Sequence, residues 1–227
     1  VSAIGLADVG FCGESKGLPS WRKSIYCLEF SPDGKLLGIG RADGSSLYSV
    51  ISWKKVHEFP EKTFDLSFSP DSETLALGTL STIHLRDCAS GAAVRIFHDE
   101  PKLYSIDYSP DGKLLASACG FSGRIEHTIK IWDVDKGRIK QRRPLTKEIL
   151  EEKTVWSVCF SPDDRLLASA GSDGYGNNTV RLWNLTTGKH RILADISGNA
   201  VKIAFGPDGK TLAASNFNEI QLFDVAS

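Results

Sequence analysis

Methionine is absent from all 227 residues of the chain. Translation starts with one, so Val1 is expected to be a processed or excised end. No apolar run approaches the ~18 residues that a membrane-crossing helix needs. The first residues also lack the charged-then-apolar pattern of a signal peptide, so a soluble, cytoplasmic protein is expected. Neither sign of charge prevails: 27 Lys and Arg face 28 Asp and Glu, for a formal net charge of −1. That balance supplies no global attraction to nucleic acid or to an anionic membrane, and neither is expected as a partner. The five cysteines are odd in number, and no two are spaced as CxxC. Cys27 and Cys159 fall in apolar strand patterns, where a free thiol acts as a small hydrophobe. Neither a disulfide framework nor a thiolate metal site is expected, and a reducing compartment suits the chain better.

Enzyme signatures are missing as well. HExxH and GxSxG do not occur. FGPDGKT (205–211) ends like a phosphate-binding loop, but Ala204 stands where its first glycine should. It also reads as a hairpin, whereas phosphate cradling uses backbone amides at a strand-to-helix turn. GIGRAD (38–43) lacks the third glycine of a dinucleotide loop. His57, His84, His98, His127 and His190 show no metal-ligand spacing. Two Asn-x-Thr tripeptides, at Asn177 and Asn184, are read as chance matches to a glycosylation signal. The expectation is no catalytic residue, no cofactor and no metal.

What the chain has in abundance is one turn. FSPDGK (30–35) returns as FSPDSE (68–73), YSPDGK (108–113), FSPDDR (160–165) and FGPDGK (205–210), at intervals of 38, 40, 52 and 45 residues. A period near ~40 marks stacked supersecondary units. Each turn follows an alternating run (IYCLEF, TFDLSF, LYSIDY, VWSVCF, AVKIAF) and precedes a second (KLLGIG, ETLALG, KLLASA, RLLASA, KTLAAS). Period-two alternation reads as strand, and proline followed by aspartate and glycine reads as a type I turn. A third strand is clearest in TIKIWDV, TVRLWNL and EIQLFDV, and a fourth in AVRIF and HRILAD. Four strands per unit make a small antiparallel sheet that cannot bury both faces alone, so neighbours must stack on it.

FSPDDRLLASAGSDG…NTVRLWNLTTGK (160–189) resembles a WD40 repeat nearly throughout, and YSPDGKLLASACG…HTIKIWDVDKG (108–137) carries the Trp132–Asp133 pair itself. The resemblance extends over essentially the whole chain. It implies an all-β propeller of about five four-stranded antiparallel blades, with a ring that need not be complete. On this reading residues 1–227 form one domain, with repeat units at 25–62, 63–102, 103–154, 155–199 and 200–227. Residues 1–24 are then either the second half of a preceding blade or the source of a closing strand, and we favour the incomplete ring. There are departures from the family pattern. The Gly-His before the first strand is nearly absent, and Tyr48, Arg86 and Phe223 replace the third-strand tryptophan in three units. The family's buried hydrogen-bond network persists best in the fourth unit, as Ser169, Asp173 and Trp183 without its histidine.

For function, the expectation is a protein- or peptide-binding scaffold. Antiparallel order places the longest connections, 120–127, 142–153 and 171–178 (with Tyr175), on one edge of adjacent units. The second residues of the first strands, Tyr26, Phe64, Tyr104 and Trp156, gather at the same edge; the fifth unit has Val201 there. In WD40 relatives this position often contacts partners. Two uses compete: anchors around the central opening, or blade-to-blade core, since these residues share parity with the buried fourth and sixth positions. Lys62 and Lys102, two residues ahead of Phe64 and Tyr104, read first as solvated charges and second as rim contacts to a partner. The basic group of Lys140, Arg142 and Arg143, answered by Glu148, Glu151 and Glu152, reads as a solvated loop, with Arg142 and Arg143 kept as rim candidates. Two rival uses stay open: a hydrolase- or lactonase-type enzyme whose channel acids would be Glu29, Asp65 and Asp107, or a purely structural piece. Open blade edges further imply association with a second copy or with the rest of a parent chain.

Overall fold

The recurring turn is held by its own side chains. The Ser31 hydroxyl accepts from the Leu36 amide (2.9 Å) and donates to Asp33 (2.7 Å), whose carboxylate accepts from the Lys35 amide (3.0 Å). Ser69–Asp71, Ser109–Asp111 and Ser161–Asp163 repeat the arrangement. The fifth turn has Gly206 in place of serine and keeps only the Asp208–Lys210 amide bond. Proline supplies the fixed φ of the first corner, and the residue after aspartate is left-handed. Glycine fills that place at Gly34, Gly112 and Gly209, but Ser72 (φ 65°) and Asp164 (φ 60°) adopt it with a side chain.

A computed structural model describes residues 24–98, 103–120, 129–139, 154–172, 177–197, 202–216 and 218–226. These residues form five antiparallel sheets and no helix. The first blade is β1 (Ile25–Phe30), β2 (Leu36–Arg41), β3 (Gly44–Ser49) and β4 (Lys55–Phe59). The second is β5 (Asp65–Phe68), β6 (Thr74–Gly78), β7 (Thr82–Asp87) and β8 (Ala93–His98). The third is β9 (Leu103–Tyr108), β10 (Leu114–Cys119), β11 (Ile129–Asp133) and the short β12 (Arg138–Ile139). The fourth is β13 (Thr154–Phe160), β14 (Leu166–Ser172), β15 (Asn177–Asn184) and β16 (His190–Ser197). The fifth has three strands among the described residues: β17 (Lys202–Phe205), β18 (Thr211–Ser215) and β19 (Ile220–Asp224). Strand order follows chain order in every sheet, with the first strand innermost. The two alternatives for residues 1–24 fall on a stretch of which only Ser24 is described.

The core lies between blades. Third-strand Ile83 and Leu85, with Phe97, pack on Leu103, Ile106 and Tyr108 of the next blade. Ile129 and Ile131 meet Val155, Val158 and Phe160; Val180 and Leu182 meet Ile203 and Phe205. Leu47 and Phe59 do the same with Leu66 and Phe68. Burying a side chain of this size contributes about 1.5–3 kcal/mol, so most of the stabilisation comes from stacking and not from any single sheet. At the third-strand tryptophan position, Trp183 donates to Ser169 (2.9 Å) in the fourth blade, as expected. Trp132 donates likewise to Ser117 (3.0 Å), so the third blade retains this bond too. In the second blade Arg86 fills the place, ion-paired to Glu61 and lying over the Phe59 ring.

Candidate functional site

A propeller's innermost strands present one edge to the central channel, and the amides on that edge need acceptors. Here the preceding blade provides them. Ser67 accepts from the Tyr108 amide (3.2 Å) and Asp65 from the Ile106 amide (3.0 Å). Ser105 takes the Val158 amide (3.3 Å), Asp107 that of Phe160 (2.7 Å), and Ser157 that of Ile203 (3.3 Å). Glu29 accepts from Phe68, and the Cys159 thiol from Phe205. The third and fifth residues of the second, third and fourth inner strands thus serve the fourth and sixth amides of the next, while in the first only the fifth, Glu29, does so and Cys27 accepts from Gly40 of its own blade. Glu29, Asp65 and Asp107, the channel acids set aside above for an enzymatic reading, all belong to this belt.

At the turn edge the channel holds a cavity of about 380 Å³ lined by Pro32, Pro70, Pro110, Pro162 and Pro207 together. The five turns therefore lie at one edge. Glu29 and Asp107 reach the same cavity. Burial, followed by the charges of Asp107 and Asp65, pushes the Glu29 carboxyl up to about 8. Burial likewise raises Asp107 to about 7, against the lowering pull of the Phe160 amide. Lys202 of the fifth blade reaches Asp65 of the second (3.2 Å), joining blades that are not neighbours in sequence. Among the described residues no group of three or more His, Cys, Asp or Glu side chains is arranged to hold a metal ion.

The opposite edge carries the aromatic positions, and here the parity expectation fails. Three first strands have a bulge: Ile25 and Cys27, Leu103 and Ser105, and Val155 and Ser157 pair with successive partners, leaving Tyr26, Tyr104 and Trp156 unpaired. In the second blade Phe64 and Asp65 both face Gly78. A bulge resets alternation and re-aims the extra side chain, so these residues do not share the buried face of the fourth and sixth positions. Tyr26 is exposed, and Phe64, Tyr104 and Trp156 are half-buried. They form two inter-blade pairs: Tyr26 stacks on Phe64 (5.1 Å between centroids), and Tyr104 meets Trp156 (4.7 Å). A Cβ at Gly120 would lie 2.1 Å from the Tyr104 ring, so the absent side chain makes room for it. The exposed Lys62 sets its ammonium 5.1 Å from the Phe64 ring centre, a cation–π contact and not a purely solvated charge. The Trp156 indole N–H is buried without a hydrogen-bond partner. Lys102, Arg142, Arg143, Tyr175 and Val201 lie outside the described residues.

A sequence profile of the WD domain, G-beta repeat, matches residues 15–46, 92–133 and 145–184, half of the chain. The chain belongs to the WD40 family. It is 27% identical over 125 residues to THO complex subunit 3 of Arabidopsis thaliana, covering 55% of this chain and 37% of that protein. It is 29% identical over 212 residues to periodic tryptophan protein 2 of the same plant, covering 88% of this chain and 22% of that one. It therefore spans well under half the length of these relatives. Among solved structures it superposes on Kuenenia stuttgartiensis hydrazine synthase with a TM-score of 0.70 at 20% identity, covering 89% of this chain and 58% of that one. On the Myceliophteria thermophila Cps50 (Swd1) β-propeller domain the TM-score is 0.69 at 16% identity, covering 88% and 65%. At these identities the likeness shows the fold alone.

Proposed function

We propose that this WD40 chain is a non-catalytic binding module that holds a protein or peptide segment on the rim opposite the proline turns. The observation that carries the reading is the pair of bulge-directed aromatic contacts, Tyr26–Phe64 and Tyr104–Trp156, at the edge where the longest connections begin and end. Aromatic side chains held at an exposed rim supply large contact area at low entropic cost. One relative, THO complex subunit 3, is by its name a member of a protein complex, which favours a protein partner here. The channel carboxylates are engaged in amide capping, which weighs against an enzyme of hydrolase or lactonase type. A cytoplasmic location is part of this proposal.

The test is Trp156→Ala, with partner identified by affinity capture and mass spectrometry. Binding should weaken by about 2 kcal/mol or more, with little change in melting temperature. A stability loss of roughly 3–5 kcal/mol would instead place Trp156 in the blade-to-blade core and move the binding site off the aromatic ring.

A further inference from the structure

We infer that β8, the outer strand of the second blade, is a pairing edge for a second copy of the chain, the two β8 strands running antiparallel about a two-fold axis at Ile96. The surface is the outer edge of a blade and not the aromatic rim, and the inference stands apart from the rim proposal.

β8 ends its sheet, with no strand beyond it among the described residues. Such an edge offers a row of unpaired amides and carbonyls, and proteins blunt it with charge, proline or shortness. The other described outer strands are blunted. β4 exposes Lys55 and Glu58, which pair at 2.7 Å, and β16 exposes Arg191 and Asp195. β12 has two residues. β8 is six residues long, lacks proline, and exposes Val94 (55%), Ile96 (45%) and His98 in alternate positions. Its one Arg is turned the other way: Arg95 donates to the Asp135 carbonyl of the third blade (3.0 Å), and Phe97 is buried against the same blade. These two contacts fix the strand with its apolar face outward.

The strand is complementary to itself, and that identifies the occupant. Antiparallel pairing about Ile96 sets Ile96 against Ile96, Val94 against His98 and Arg95 against Phe97. Opposed side chains share a face, so the apolar stripe of one copy continues into that of the other. No like charges stand opposite in this register. Centring on Arg95 would set two guanidinium groups against each other, which is destabilising. The net charge of −1 leaves the copies with little mutual repulsion. The contact is isologous, so it closes at two copies and does not grow into a fibre.

Single cysteines read the register. Directly opposed residues have Cα atoms about 4.5–5.5 Å apart, within the span of a disulfide. Ile96→Cys should therefore form an intermolecular disulfide under mild oxidation, at least about tenfold faster than Val94→Cys, which faces His98. The double variant Val94→Cys, His98→Cys should cross-link as readily as Ile96→Cys, and the unsubstituted chain is the control for its own thiols. Sedimentation of the unsubstituted chain should show a dimer at about 100 µM, since a contact of one strand pair is at the small, weak end of interfaces. Ile96→Lys should return it to monomer with its melting temperature kept, because Ile96 is nearly half exposed. A monomer at that concentration, a dimer that survives Ile96→Lys, or equal cross-linking through Val94→Cys and Ile96→Cys would each overturn the inference. The cysteine readout stands whether or not Ile96→Lys folds.

Discussion

Replacing Ser67 by alanine tests the capping belt at its simplest member. Ser67 and Tyr108 are both buried, and among the described residues the Ser67 hydroxyl bonds only to the Tyr108 amide, at 3.2 Å. Removing the hydroxyl leaves that amide buried without an acceptor, which costs about 1–3 kcal/mol. The bond is at the long end of its range, so the lower half, about 1–2 kcal/mol, is expected. For a domain of this size that lowers the melting temperature by about 2–8 °C. Urea unfolding should show a shifted midpoint with an unchanged slope. Repeat arrays can lose cooperativity, so the local readout is exchange at the Tyr108 amide, which should accelerate while Phe160 and Ile203 stay protected. Ser67→Cys should recover part of the loss, because Cys159 at the equivalent place accepts from Phe205. The control is Ala204→Ser, which faces no following inner strand among the described residues and should stay within about 0.5 kcal/mol of the parent. Unchanged stability and unchanged Tyr108 exchange in Ser67→Ala would refute the belt as an energetic element.

The channel acids set a pH dependence. Glu29 rises from 4.5 to about 8 and Asp107 from 3.8 to about 7, so the folded chain keeps protons that the unfolded chain releases. Their contribution is fully present below the unfolded values and is lost as pH rises through the folded ones, at up to about 1.4 kcal/mol per pH unit for each group. Urea midpoints should therefore fall between about pH 5 and pH 8, and Glu29→Gln with Asp107→Asn should flatten the decline while keeping both carbonyl acceptors. Asp164→Gly should stabilise the protein by about 1 kcal/mol, visible as a raised melting temperature, since it relieves a left-handed side chain that three sister turns avoid with glycine. It also removes a carboxyl whose protonated form is favoured by burial and by the charge of Asp111.

Features confined to one strand or one turn were legible from the residues alone. The Ser-Pro-Asp turn announces itself because serine, proline and aspartate each act within five residues, and the strand alternation on either side is equally local. Features that need a second strand were not legible. Tyr26, Tyr104 and Trp156 read as in-phase core candidates because nothing in LYSIDY or TVWSVCF marks the residue that its partner strand will skip. The bulge exists only in the pairing. The channel belt was hidden in the same way. Asp65, Ser67, Ser105, Asp107 and Ser157 read as the polar half of an alternating strand, and the acids invited comparison with a catalytic channel. Only the neighbouring blade, offset so that its fourth and sixth amides arrive opposite them, turns that polar stripe into a row of acceptors. With the pattern known, the sequence becomes more informative than it first was: Lys202 and Ala204, at the third and fifth positions of the fifth inner strand, offer no acceptor to a following amide. The order in which consecutive blades stack is thus written in the polar half of the inner strands, Asp65 and Ser67 meeting the third blade and Ser105 and Asp107 the fourth.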